Sequence, residues 1–422
     1  RDLHSFPTRR SSDLEPVNYL KIRGSWGKAG GNLPGSVGAY LSVVSPSTYL
    51  DGSGNVQTNG RVVSNIADPA IKWEVQEDFT IGLDGNMLKN KLDFSIEAYK
   101  RNPKNLLASI TLDPVLGYPQ GYIASQTSNI GQLTTKGFDI SLGYTDNITK
   151  KLNFGVNLVV SHWKSIVDYA GNADPIRYNL QNDVITTGRS RLTKGHEPGA
   201  WFGYIVDGVF QTDAEAVTYK NKDGVSYQPL AKAGDLKFRD ANNDGVINIK
   251  DLSDLGSPWP KLTTGLTLTF KYSGFDLRTE FYGALGQEYS NDYRLLMQGT
   301  TRYNFLSGLG DKFWSGTGST NSFPIMKNTD PNGNFSKMSS FLLEDADYVR
   351  CRVIQLGYTI PPQLIKGIKS IRVYLSAQNL FTMTKYSGLN PELPFQGIGL
   401  NGIDRFTAIT PKTYLFGVNL SL

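Results

Sequence analysis

Leu92-Asp-Phe-Ser-Ile-Glu-Ala-Tyr99 changes character at every step, with Leu92, Phe94, Ile96 and Ala98 on one side and Asp93, Ser95, Glu97 and Tyr99 on the other. Successive side chains of a strand point to opposite faces, so this stretch predicts a strand with one apolar and one polar face. The preceding segment repeats the pattern through Trp73, Val75, Phe79, Ile81 and Leu83, and a short turn from Gly85-Asn86 to Asn90 joins the two. Together they predict a hairpin whose two sides meet different media.

The same unit recurs along the chain. Leu20, Ile22, Gly24 and Trp26 open it. Phe138 to Tyr144 and Leu152 to Val160 flank a turn at Asp146 to Lys150, and Leu262 to Phe270 and Phe275 to Phe281 flank Lys271-Tyr-Ser-Gly274. From Tyr348 to Ile360 the apolar phase slips from Val349, Cys351 and Val353 to Ile354, Leu356, Tyr358 and Ile360, as a β-bulge would produce. The turn from Pro361-Pro362 to Ser370 leads to Ile371 to Ala377, and Tyr414 to Leu422 ends the chain. Ten strands are predicted, and short turns alternate strictly with long loops, among them 163–261. Outer-membrane barrels have this asymmetry, with short periplasmic turns at one rim and long extracellular loops at the other. The expected fold is therefore all-β, a transmembrane antiparallel β-barrel. Asp93, Glu97, Asp139, Asp276, Arg278, Glu280 and Arg372 should face a wet lumen rather than lipid. Trp26, Trp73, Tyr99, Tyr144, Tyr282, Tyr358 and Tyr414, near strand ends, are expected at the membrane interface.

Composition agrees with this reading. The 422 residues hold 44 Gly, 22 Tyr and 20 Phe but are only 39% hydrophobic, and no run approaches the roughly 18 to 20 apolar residues of a membrane helix. A single cysteine, Cys351, excludes an internal disulfide framework, and His4, His162 and His196 are too scattered for a zinc site. A net charge of +5 without a basic, aromatic-laced stripe gives no reason to expect nucleic acid. Residues 1–14, Arg1 to Leu14, have neither a signal-like apolar core nor alternation; they resemble a translated adapter scar and are set apart from 15–422.

One loop carries candidate metal ligands. Asp240-Ala-Asn-Asn-Asp-Gly-Val-Ile-Asn-Ile-Lys-Asp251 places oxygen side chains at relative positions 1, 3, 5, 9 and 12 with glycine at 6, the spacing of a calcium loop. Asp240, Asn242 and Asp244 would give side-chain oxygens, Val246 its carbonyl, Asn248 a contact through water and Asp251 the closing carboxylate. Aspartate in place of glutamate at the last position predicts a weaker, structural Ca2+ site, a brace rather than a sensor. The alternative is a polar turn without metal, since Asn, Asp and Gly are ordinary turn formers.

Several motifs carry a family resemblance: Gly195-His-Glu-Pro-Gly-Ala-Trp-Phe-Gly-Tyr-Ile-Val-Asp-Gly-Val-Phe-Gln211, Gly234-Asp-Leu-Lys-Phe-Arg-Asp240 and Gly256-Ser-Pro-Trp-Pro-Lys261. Ser340 to Arg350, Leu356-Gly-Tyr-Thr-Ile-Pro361, Ala377-Gln-Asn-Leu-Phe-Thr382 and Thr384-Lys-Tyr-Ser-Gly388 follow in order. Together they resemble the C-terminal half of SusC/RagA-type TonB-linked outer-membrane transporters. The resemblance implies about ten strands of a barrel of about 22, with the plug and the TonB-contacting part absent from this sequence. It further implies import of oligosaccharides or peptides, a SusD-like surface lipoprotein as lid, and no catalysis. Consistently, no nucleophile elbow, zinc signature or Walker motif occurs, and Asp345 and Asp347 read as solvated loop residues. The competing expectation is a secreted calcium-dependent carbohydrate-binding or adhesin module, with Trp201, Phe202 and Trp314 as exposed contact residues.

Overall fold

The computed structural model describes residues 17–31, 42–111, 125–171, 176–178, 188–297, 308, 310–361 and 369–421. The scar-like Arg1 to Leu14, most of the turn after Pro361, and Leu422 lie outside them. Ten strands form one continuous wall: β1 Val17–Gly30, β2 Val75–Met87, β3 Leu92–Lys104, β4 Ser125–Asn147, β5 Leu152–Tyr169, β6 Leu262–Tyr272, β7 Phe275–Leu285, β8 Tyr348–Ile360, β9 Ser370–Thr384 and β10 Thr413–Ser421. Each pairs antiparallel with its successor in the chain. These are the ten expected strands in the expected order.

The short turns share one rim, and their backbones explain their shortness. Ser273 and Gly274 both take left-handed φ, +47° and +89°, which matches the twist of the flanking strands in a two-residue hairpin. Leu88, Lys89 and Asn90 are left-handed as well, so the β2–β3 turn sits at 88–91, and Gly85 and Asn86 are strand residues rather than turn residues. The expected bulge is present: β8 shifts register against β9 between Cys351 and Val353, and β7 shifts against β8 between Glu280 and Phe281.

Alternation gives the wall two faces. One carries exposed Ile22, Trp26, Ile81, Ile96, Phe138, Leu356, Leu375, Phe416 and Leu420. Such a row is costly in water and stable against hydrocarbon. The opposite face carries Arg23, Asp84, Ser95, Glu97, Asp139, Asp276 and Arg372, linked to one another across strands. Tyr99 and Tyr282 depart from the expected interface belt. Tyr99 lies on the polar face against Gly137, and Tyr282 on the same face packs against Tyr348 under Arg352.

Several strands run further than expected, β4 and β5 the most. β4 starts at Ser125 rather than near Phe138, and β5 continues past Ser161 to Tyr169, which shortens the connection expected at 163–261. Above the membrane the apolar face turns polar, so the alternation that marks a strand in the sequence fades there while the hydrogen-bonded ladder continues. A further hairpin, Val43–Leu50 with Val56–Ile66, stands in the β1–β2 connection.

The β5–β6, β7–β8 and β9–β10 connections fold together. Trp201, Tyr204, Val209, Leu236, Phe238 and Leu252 from the β5–β6 connection pack with Phe313, Phe335, Met338, Phe341 and Leu342 from the β7–β8 connection and Ile403 from the β9–β10 connection. This cap has a dry core: Trp201, Phe238 and Leu342 are 0% exposed. Of the aromatic residues expected on its surface, Trp201 and Phe202 are buried and Trp314 is partly buried against the same core. That removes the contact surface on which the adhesin reading depended.

Candidate functional site

The polar wall face is built from cross-strand ion pairs. Arg23 on β1 donates to Asp84 on β2 at 3.0 Å and pairs with Glu97 on β3, while Ser95 donates to the second oxygen of Asp84 at 2.8 Å. Farther along the wall, Arg372 on β9 donates to Asp276 on β7 at 2.8 Å across the intervening β8. Such rows face water rather than lipid because each charge keeps both a partner and solvent. Near the short-turn rim this face forms a cavity of about 880 Å³ lined by Lys151, Thr269, Lys271, Asp276, Arg278 and Arg372. Near the long-loop rim a second cavity, of about 270 Å³, is lined by Gln76, Tyr99, Arg101, Thr135, Trp163 and Ser165. There Arg101 lies 4.3 Å above the Tyr99 ring, and Trp163 meets Trp259 at 5.4 Å between ring centres. Aromatic faces beside hydrogen-bonding groups suit sugar rings and peptide side chains alike. Neither cavity was legible in the sequence, because residues from six strands line the first and from four strands the second.

The twelve-residue loop has a defined shape in the cap. Asp240 Oδ2 accepts from the Gly245 amide at 2.8 Å, Asn242 Oδ1 from the Asp244 amide at 2.9 Å, and Asp244 Oδ1 from the Val246 amide at 3.0 Å. Gly245, at φ +89°, makes the bend the spacing predicts. Asp240 Oδ1 is buried and meets no hydrogen-bond partner, which fits a cation at the loop centre. Tyr227 stands beside it, and burial together with the Asp240 charge pushes its hydroxyl up. The expected closing ligand is otherwise engaged. Asp251 is fully buried and accepts from the amides of Ala241 at 2.8 Å, Asn242 at 3.3 Å and Asn248 at 2.7 Å. Asn248 and Asp251 form a reciprocal capping box on a short helical turn. Among the described residues no three acidic, histidine or cysteine side chains converge on one point. Of the expected ligands only Asp240 leaves a buried oxygen without a partner; the Val246 carbonyl accepts from Asn248 Nδ2 at 3.2 Å, Asn248 Oδ1 accepts from the Lys250 amide at 2.9 Å, and Asp251 is taken up by backbone amides.

Buried charges tie the connections of the cap to one another. Asp235 accepts from Lys327 Nζ at 2.8 Å and Asn334 Nδ2 at 2.9 Å, and Glu344 accepts from Arg294 at 2.8 Å and Ser387 Oγ at 2.7 Å. Burial alone would raise the Glu344 carboxyl, but Arg294 and the Ser387 hydrogen bonds hold it below its usual range. Glu288 lacks such support. Its Oε2 is buried without a partner, and burial pushes its carboxyl up, with Lys261 opposing and Asp345 and Asp254 adding to the rise. Asp347 is likewise raised by burial, and its Oδ1 accepts from the Gly286 amide.

No protein-family model matches the chain. Curated relatives do: it is 26% identical over 421 residues to TonB-dependent receptor P3 of Formosa agariphila, covering 97% of this chain and 40% of that protein. It is 27% identical over 425 residues to TonB-dependent receptor SusC of Bacteroides thetaiotaomicron, covering 97% of this chain and 38% of that protein. Among solved structures it superposes on the RagAB peptide importer in the closed-closed state with a TM-score of 0.74 at 21% identity, covering 98% of this chain and 42% of that one. The chain thus spans about two fifths of the length of these relatives. Its fold is that of the corresponding part of that importer, an outer-membrane β-barrel architecture, and the curated relatives are named TonB-dependent receptors.

Proposed function

We propose that this chain, similar along nearly all its length to SusC/RagA-type TonB-dependent receptors, forms wall and mouth of a pore that imports oligosaccharides or peptides across the outer membrane. The observation that carries the reading is the two-faced wall: a lumen lined by Arg23, Asp84, Glu97, Asp276 and Arg372 beneath a cap with its own dry core. A wet, charged lumen passes polar cargo, and a folded cap fixes the rim against which a lid can close. In this reading a SusD-like surface lipoprotein supplies the lid, and TonB drives the opening through a plug seated in the lumen. The test is uptake of labelled oligosaccharide and peptide pools by cells carrying the full-length receptor. Uptake should vanish when either the receptor or TonB is removed, and uptake that persists without TonB overturns the proposal.

We also propose that Asp240, Asn242, Asp244 and the Val246 carbonyl hold a structural calcium ion that stiffens the cap. The orphaned Asp240 Oδ1 supports this. Bound calcium would add electrostatic cross-links within one connection of the cap and take no part in transport chemistry. Calorimetric titration of the full-length receptor with calcium should show a heat of binding that Asp240→Ala and Asp244→Ala both abolish. A heat unchanged in both variants, or no heat at all, removes the metal.

A further inference from the structure

Lys100 on β3, Lys136 on β4 and Lys164 on β5 stand opposite one another across three neighbouring strands, Lys100 against Lys136 and Lys136 against Lys164. All three are exposed, and they belong to the face that carries Phe138 and Ile96, the lipid-facing side. Like charges directly opposed on adjacent strands are destabilising, and none of the three has a carboxylate partner among the described residues. The contrast one step higher is sharp: Lys28 and Lys104 both bind Glu77, each at 2.8 Å.

The row lies at a boundary. Two residues lower, Ile81, Ala98, Phe138 and His162 face one another, and below them Leu83, Ile96, Ile140 and Val160. Two residues higher the same face holds Glu77, Asn102 and Thr134, with Asn102 donating to Thr134 at 2.8 Å. In the row itself, Lys100 is flanked by Phe79 and then by Trp26, which are 52% and 72% exposed. Aromatic side chains at this position mark the headgroup layer, and the long loops put this rim on the outside of the cell.

We propose that the three lysines form a binding site for the phosphate groups of a phosphorylated glycolipid of the outer leaflet, with Trp26 and Phe79 beside its acyl chains. Phosphate oxygens placed between the ammonium groups turn their mutual repulsion into shared attraction, and the acyl chains find the apolar band directly below. The occupant is a lipid rather than a soluble anion because the cations sit on the hydrocarbon-facing side. The proposal rests on the outer-membrane placement of the wall but not on the cargo.

The experiment uses the full-length receptor in detergent, with bisphosphorylated lipid A and dephosphorylated lipid A as probes and retention measured by native mass spectrometry. A basic residue near a membrane surface contributes roughly fivefold to such binding, so the triple variant Lys100→Gln/Lys136→Gln/Lys164→Gln should bind lipid A on the order of a hundredfold more weakly. The triple Lys→Arg variant should bind as the unaltered receptor does, and dephosphorylated lipid A should bind the unaltered receptor as weakly as lipid A binds the Gln triple. A heat-dependent gel shift reports folding. Should the Gln triple lose that shift, Lys136→Gln alone decides the matter, with about a fivefold loss expected. Unchanged lipid A binding in the folded variant, or equal competition by inorganic phosphate, overturns the proposal. Labelled uptake, measured separately, shows whether transport fails with it.

Discussion

Trp26 and Trp201 are the same residue under opposite rules. Trp26 on the outer wall is 72% exposed, whereas Trp201 in the cap is 0% exposed and donates its Nε1 proton to the Glu288 carbonyl at 2.7 Å. The wall turns its apolar side outward because its surroundings are hydrocarbon, and its polar side inward because the lumen is wet. The cap turns its apolar side inward as any water-bathed domain does. One chain therefore obeys two solvents, and the boundary between them crosses β3, β4 and β5 near Lys100, Lys136 and Lys164. Burial alone is a poor guide to importance here. An exposed wall residue can matter as much as a buried cap residue.

The comparison breaks most visibly at Trp201. Trp201→Ala should destabilise the cap by about 3 to 5 kcal/mol while the wall keeps its heat-dependent gel shift. Hydrogen exchange should rise across Tyr204, Phe238 and Ile403 and stay unchanged in β2 to β4. Uniform deprotection would mean that wall and cap form one cooperative unit. The wall offers the next test through adjacent residues of β5. Leu158 faces lipid and Asn157 the lumen, so Leu158→Arg should cost about 2 to 4 kcal/mol and Asn157→Arg no more than about 0.5 kcal/mol in vesicle refolding titrations. Equal costs would dissolve the distinction between the faces.

A smaller stabilising effect belongs to Glu288, where cap and wall meet. Its carboxyl is raised by burial in the folded protein, so the folded state holds the proton more tightly than the unfolded chain. Ionised Glu288 therefore weakens the fold above the carboxylate range, and that penalty disappears as pH falls below its unfolded value. Glu288→Gln should stabilise the cap by about 1 kcal/mol at neutral pH, with the gain fading toward pH 4 in thermal melts. A gain independent of pH would mean that the carboxyl is not responsible.

The wall was legible because its two faces alternate over ten residues at a time. Leu92 to Tyr99 announces its strand without any knowledge of its neighbours. Legibility stopped where the lipid did: Lys136 and Lys164 replaced apolar residues, the pattern faded, and the upper parts of β4 and β5 were read as loop. The cap was illegible for a different reason. Trp201, Phe238, Phe341 and Ile403 meet in space from three connections, and no local period marks such a core. Trp201 and Phe202 looked like contact aromatics because the loops that bury them lie far away in the chain. The calcium-like loop showed its spacing and its bend at Gly245, but the three backbone amides held by Asp251 depend on a fold that spacing cannot report.

The cap's shared core also bears on how such caps diversify. Because Trp201, Phe335 and Ile403 come from different connections and pack into a single core, no connection can be exchanged without refitting the other two. Variation at the mouth should then be inherited in blocks, with the loops changing together while the strands beneath them stay put. A graft that moves one connection between relatives would meet a core cut for other partners. Transplanting all three together respects the unit in which this mouth was assembled.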